Sequence, residues 1–268
     1  MGQGQPMEIV FIGAGNLATQ LSQAFQRVGH NVIQVFSRTQ ENASALGARL
    51  GCEWTTSLEG IRKDAHLYVI SVSDSAFQQV AEKLHATLQS VPAKDGSQTG
   101  SNALFVHTAG SISVDLLPMK RRGVFYPMQT FNKYNSVDFS QIPIFIESRT
   151  DLNCLQHLAS QLSQKVYELD GSRRKLLHVA AVFACNFSNH MYDLSSRILQ
   201  EYDIPFDVML PLIDETVRKV HLMSPKEAQT GPAVRYDQNV MHCHMQMLRD
   251  EKMKRIYQLL SESIHDKL

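Results

Sequence analysis

Glu8-Ile9-Val10-Phe11-Ile12-Gly13-Ala14-Gly15-Asn16-Leu17-Ala18 is the stretch that decides the fold of this chain. A buried strand runs straight into a glycine turn, after which Leu17, Leu21, Ala24, Phe25 and Val28 recur at helical spacing. In the pattern G-x-G-x-x-G/A each small residue has a mechanical role. Gly13 permits the tight turn, Gly15 lets the backbone approach a pyrophosphate, and Ala18 lets helix and strand pack closely. The phosphates would rest on the turn Gly13-Ala14-Gly15 and the first helical residues Asn16, Leu17 and Ala18, where free N–H groups and the helix dipole favour anions. The glycine spacing alone is weak. The strand before it and the helix behind it give it meaning.

Beyond that turn, strands and helices alternate. Strands are expected at 32–36, 52–54, 67–72, 103–107, 124–126, 144–146 and 165–169, and helices over 16–28, 40–50, 74–88 and 151–164. Residues 90–102, rich in Ser, Gly, Lys, Asp and Gln, form a surface loop by composition. Alternation of this kind predicts an α/β fold, a Rossmann-type doubly wound parallel sheet, over residues 7–170. At Asp170-Gly171 the pattern changes. A long helical signal runs from Ser172 to about Tyr202, followed by helices over 206–222 and 237–263, the last in one piece or two. Between them Ser224-Pro225-Lys226-Glu227 is a capping box with proline at the first helical position. Residues 171–268 therefore form an all-α C-terminal domain.

Composition narrows the function classes. Hydrophobic residues make up 43% and charged residues 19%, and net charge is zero, so neither nucleic acid nor an anionic membrane surface is an expected partner. Apolar runs fall far below the roughly 20 residues that span a bilayer. Met1–Pro6 is too short and polar for a signal peptide. Cys52, Cys154, Cys185 and Cys243 are scattered without C-x-x-C, which fits thiols in a reducing cytoplasm better than disulfides or a zinc site. No metal is expected at His242-Cys243-His244, because i and i+2 on a helix point apart. Met241, Met245, Met247 and Met253 suit core or dimer-interface filling.

The second strand identifies the cofactor. NAD-binding domains place a carboxylate about 20 residues past the glycines, on the ribose 2′-OH. Here the strand ends Val35-Phe36-Ser37-Arg38-Thr39, with no carboxylate. Arg38 can pair with a 2′-phosphate while Ser37 and Thr39 donate hydrogen bonds to it, which points to NADP; the alternatives are a solvated surface arginine and NAD use despite Arg38. Ser71-Val72-Ser73 after the fourth strand and Thr108-Ala109-Gly110 after the fifth are small and polar. They suit close passage past a ribose and a nicotinamide, and equally suit helix caps and a glycine turn.

The catalytic candidates lie on the helix from Ser172. At about 100° per residue, Lys175, Asn186 and Asp193 project together, with His178 and Asn189 near them. Such a stripe is either the wet face of an amphipathic helix or the wall of a substrate pocket. In the second case His178 or Lys175 donates the proton that balances hydride transfer and Asn186 orients a carbonyl or imine. Substrate-binding candidates are Asn189, Tyr126 and Gln129 in Tyr126-Pro127-Met128-Gln129-Thr130-Phe131, and Arg235, which follows a rigid Gly231-Pro232 turn and could hold a carboxylate. Arg235 could equally pair with Asp237.

Taken together, these segments resemble the Rossmann-like NADP oxidoreductases related to pyrroline-5-carboxylate reductase and 6-phosphogluconate dehydrogenase. The resemblance is closer to the branch whose helical C-terminal part is a domain of unknown function, DUF2520. It runs from Met7 to about Leu260 and rests on the glycine turn, Ser37-Arg38, residues 107–111, residues 123–131, His178 to Asn186, and Thr230 to Asp237. It implies an NADP domain, a 6-phosphogluconate dehydrogenase-like helical domain, and a homodimer through those helices. Tyr126 stands where a histidine is usual in the branch, and Tyr236 where glycine is more frequent. The function expected is NADP(H)-dependent reduction of a C=O or C=N bond in a small, polar, carboxylate-bearing metabolite. The alternative is a non-catalytic NADP(H)-binding module that senses redox state.

Overall fold

The computed structural model describes residues 5–89 and 102–266, so most of the expected 90–102 loop lies outside the described residues. The chain divides into two compact units, Met1–Ala181 and Val182–Leu268.

The first unit is built on an eight-stranded sheet. Its strands are β1 (Glu8–Ile12), β2 (Asn31–Phe36), β3 (Glu53–Thr55), β4 (Leu67–Ile70), β5 (Leu104–His107), β6 (Arg122–Pro127), β7 (Ile144–Glu147) and β8 (Val166–Glu168). The helices are α1 (Asn16–Arg27), α2 (Gln40–Leu50), α3 (Asp74–Gln89), α4 (Leu152–Leu162) and α5 (Gly171–Ala181). Strand order is β3-β2-β1-β4-β5-β6-β7-β8. The order reverses at β1, which places the ligand crevice at the carboxyl ends of β1 and β4.

β1 is apolar throughout because both its faces are covered. Ile9 and Phe11 pack with Leu21 and Phe25 of α1, while Val10 and Ile12 pack with Phe77 and Leu84 of α3. Each fully buried side chain of this size contributes about 2 kcal/mol. The expected parallel sheet has one exception: β7 runs antiparallel to β6. Parallel neighbours need a crossover, usually helical, and the connection between these two strands holds only a 3-10 turn at Phe139–Gln141. β7 and β8, joined through α4, are parallel again.

The second unit contains a π-helical stretch (Val182–Phe187), α6 (Ser188–Gln200), α7 (Leu210–Leu222), α8 (Pro225–Ala228), α9 (Gln238–Met247) and α10 (Glu251–His265). The capping box forms: Glu227 N–H donates to the Ser224 hydroxyl and Ser224 N–H to the Glu227 carboxylate at 3.0 Å. The last helical region is in two pieces because Asp250 caps a new helix, accepting from the N–H groups of Lys252 and Met253. None of α6 to α10 fully buries a residue. Among the described residues, no helix is long and apolar enough to cross a membrane.

The expected domain boundary at 170/171 and the split at 181/182 differ by the length of α5. Arg174 ties this helix to the first unit: fully buried, it pairs with Glu147 of β7 and donates to the Ile112 carbonyl.

Candidate active site

The nucleotide half of the site grows out of the glycine turn. Gly13 has φ +122°, and a Cβ there would overlap the Ser71 carbonyl, lying 2.8 Å from its carbon. Its N–H donates to Phe36 O at 2.8 Å and Ser71 N–H to Ile12 O at 2.8 Å, so the ends of β1, β2 and β4 are laced together. Gly15 is the opposite case. It is exposed, and a Cβ there would meet nothing within 4 Å. It starts α1 with no side-chain cap, and α1 has no acidic residue in its first turn. Free N–H groups and open space together fit an anionic pyrophosphate. Ala14 and Ala18 are buried, Leu17 is half-buried and Asn16 is exposed.

At the end of β2, Ser37 is half-buried and Arg38 and Thr39 are exposed. Among the described residues Arg38 makes no hydrogen bond or ion pair, so its guanidinium is free for an anion. The residues present therefore fit NADP with its 2′-phosphate. At the end of β4, Ser71 and Val72 are half-buried and Ser73 is exposed. At the end of β5, Thr108 is buried and its hydroxyl donates to Ser71 Oγ at 3.2 Å, and Gly110 is covered. Of that trio only Ala109 is half-exposed.

What covers Gly110 is His178. A Cβ on Gly110 would lie 2.7 Å from His178 Nδ1 and 2.9 Å from Cγ. The same Nδ1 lies 3.2 Å from Tyr126 Oη at the end of β6, with the rings edge to face at 6.2 Å. Burial raises the Tyr126 phenol above its usual value, against a smaller opposite pull from Arg174. Tyr126 therefore stays protonated and can donate to His178 or accept from it. Below the pair, His107 is fully buried and its pKa falls to about 3, through desolvation first and the Arg174 charge second. Its Nδ1 accepts from Ala109 N–H at 3.2 Å, so the neutral imidazole carries its proton on Nε2.

Within the first unit, Lys175 and Gln129 make no contact with this cluster among the described hydrogen bonds. Lys175 is exposed and makes no hydrogen bond or ion pair among the described residues. Gln129 folds back, its Oε1 accepting from Thr130 N–H at 2.9 Å. The polar stripe is corrected by the π-helical stretch, whose wider turn breaks the 100° count between Lys175 and Asn186. Asp193, its third member, pairs with Arg197 at 2.6 Å. Asn186, Asn189 and Arg235 belong to the second unit and are exposed. Arg235 does not pair with Asp237, whose carboxylate caps α9 through Val240 N–H at 3.2 Å. Sequence reasoning missed Arg174 because Arg173-Arg174-Lys175 resembles a solvated charge run. The available signal was Glu147, an acid at the end of an apolar strand.

Fold and site define a class: a Rossmann-type nucleotide-binding oxidoreductase with a helical C-terminal unit. Residues 8–91 match the family described as NADP oxidoreductase, coenzyme F420-dependent, and residues 142–264 match the domain of unknown function DUF2520. A structure described as a putative NADP oxidoreductase from Bacteroides fragilis is 49% identical, covering 97% of this chain and 98% of its own, with a TM-score of 0.88. The chain belongs to the family of that protein, a family of NADP oxidoreductases. A protein from Thermotoga maritima (20% identity, 96% and 97% covered, TM-score 0.69) shares the fold. So does an imine reductase from Myxococcus stipitatus in complex with NADP+ (14% identity, 97% and 92% covered, TM-score 0.64). No curated protein matches.

Proposed function

We propose that this NADP oxidoreductase reduces a C=O or C=N bond in a small, polar, carboxylate-bearing metabolite, with His178 as the proton donor. The observation that carries this reading is the Tyr126–His178 hydrogen bond seated on Gly110, at the carboxyl ends of β5 and β6. Bound NADPH supplies the hydride. A protonated His178 directs Nδ1–H to Tyr126 Oη and gives its Nε2 proton to the substrate oxygen or nitrogen, then recovers a proton from water. Tyr126 orients the imidazole. Arg235, which makes no hydrogen bond or ion pair among the described residues, is the candidate for a substrate carboxylate, and Asn186 and Asn189 are candidates for polar groups.

NADPH oxidation against a panel of ketoacids and cyclic imines tests the proposal. His178→Ala is expected to abolish turnover while NADPH still binds, and Lys175→Ala to leave most of it. Full activity in both variants removes the catalytic roles. Equal NADPH and NADH affinity in the wild type refutes the phosphate role of Arg38.

Two further proposals accompany this one. The helices of the second unit make a homodimer: they fully bury nothing, Phe183, Leu212 and Leu222 are about two-thirds exposed, and Met191, Met209, Met247 and Met253 line an apolar groove. A light-scattering mass of one chain refutes it. A cytoplasmic location is supported by four cysteines that are all free. Cell fractionation checks it, and recovery outside the cytoplasm refutes it.

A further inference from the structure

Ninety-five positions beyond Arg38, the loop between β6 and β7 delivers a second cation to the same end of the sheet. Three bonds pin the loop. The buried Gln20 amide donates to the carbonyls of Asn132 and Asn135 at 2.6 and 2.9 Å, and Arg49 of α2 donates to the Lys133 carbonyl at 2.9 Å. The backbone on either side of Lys133 is thus fastened to α1 and α2. Its half-buried Nζ donates to Asn42 Oδ1 at 2.6 Å and makes no ion pair among the described residues.

The hydrogen bonds then run in one direction. Lys133 has only donors, so Asn42 must present its oxygen to it and its Nδ2–H to Thr39 Oγ1, at 2.7 Å. Thr39 is thereby engaged as an acceptor, and its hydroxyl lies 3.5 Å from Ser37 Oγ, so one O–H of the Ser37–Thr39 pair is left to donate. Thr39 heads α2 without capping it, and it lies beside Ser37 and the free Arg38. A relay that begins on an ammonium without an ion pair among the described residues and ends on the Ser37–Thr39 hydroxyls, next to the guanidinium of Arg38, suits an anionic acceptor.

We propose that Lys133 and Asn42 complete the 2′-phosphate site and set the preference for NADP(H) over NAD(H). Lys133 acts through Asn42 and Thr39. This rests on the NADP reading of Ser37-Arg38-Thr39.

Titration of the full-length protein tests it, with NADPH against NADH and with 2′,5′-ADP against 5′-AMP as competitors. Lys133→Met is expected to weaken NADPH and 2′,5′-ADP roughly tenfold, the order for one partly screened charge facing a phosphate, and to leave NADH and 5′-AMP within about twofold. Asn42→Asp, which would neutralise Lys133 and face the phosphate with a carboxylate, should do the same. A thermal melt matching the wild type confirms that each variant is folded, and Lys133→Gln serves where Lys133→Met is not. An equal loss for phosphorylated and unphosphorylated ligands, or no loss for either, overturns the role of Lys133. Should the wild type not prefer 2′,5′-ADP to 5′-AMP, the NADP reading itself fails and this inference with it.

Discussion

Gly15→Ala separates the folding role of the glycine turn from its binding role. The φ of −79° and ψ of −173° at Gly15 are ordinary extended backbone, and the added methyl would meet no atom within 4 Å. Removing a glycine from the unfolded chain stabilises by roughly 0.4–1 kcal/mol, and losing a tolerated N-cap costs up to about 1 kcal/mol. The two nearly cancel, so unliganded stability should move by less than about 0.5 kcal/mol. The same methyl occupies the space through which a pyrophosphate passes, so NADPH binding should fall about a hundredfold or more, roughly 2.7 kcal/mol. Urea denaturation with and without NADPH reads both effects. At a concentration 100 times the wild-type Kd, the cofactor stabilises the wild type by about 2.7 kcal/mol and this variant by about 0.4 kcal/mol. Gly13→Ala is the control, since positive φ and overlap with Ser71 should destabilise it by about 3 kcal/mol or more before any ligand is added. If Gly15→Ala loses unliganded stability as Gly13→Ala does, or keeps the wild-type NADPH shift, the reading of the turn is wrong.

Gly110→Ala should push the His178 imidazole off Tyr126, lowering turnover about tenfold or more while leaving the NADPH Kd unchanged; unaltered steady-state kcat would contradict this. His107 makes stability depend on pH. The unfolded chain takes up a proton below about 6.5 that the folded histidine refuses down to about 3, so stability is full above that window and falls as pH drops through it. Urea titrations at several pH values should show His107→Asn reducing the slope by up to about 1.4 kcal/mol per pH unit. Arg174→Met strands the Glu147 carboxylate and should cost about 3–5 kcal/mol, with Glu147→Gln recovering part of it in the double variant; additive losses would show the pair to be uncoupled. Tyr236, with φ +51° and its ring stacked 4.0 Å from His265, should tolerate Tyr236→Gly almost neutrally, because relieved backbone strain offsets the lost stack. A loss above about 2 kcal/mol in a thermal melt would contradict that balance.

The Rossmann half was legible because its signals are local. A strand buried on both faces is a short apolar run, and a helix on its surface repeats every three to four residues; both belong to neighbours in sequence. The antiparallel β7 was not legible, since it depends on a connection having no helix rather than on any residue of the strand. The π-helical stretch was missed for a related reason: nothing in Val182-Phe183-Ala184-Cys185-Asn186-Phe187 breaks a helical pattern, yet its wider turn shifts every later side chain. Site residues were legible where one segment holds the whole geometry, as at Gly13 and Gly15. They were not legible where the partner lies far along the chain, as with Arg174 and Glu147 or Lys133 and Asn42. Thr108 is a similar case, a polar residue at a strand end whose hydroxyl donates to Ser71, thirty-seven positions earlier.

The two positions where the chain departs from the family pattern have structural partners, and the departure at Tyr126 alters the chemistry. A histidine there would set two imidazoles within hydrogen-bonding distance, where a positive charge on one disfavours a charge on the other. Tyrosine preserves the hydrogen bond at 3.2 Å and removes the competitor, because burial holds its phenol protonated far above neutral pH. Tyr126 thus leaves His178 as the only imidazole of the pair. An exchange that looks like a lost site residue in sequence therefore keeps the hydrogen bond to His178 and is consistent with the donor role proposed for that histidine.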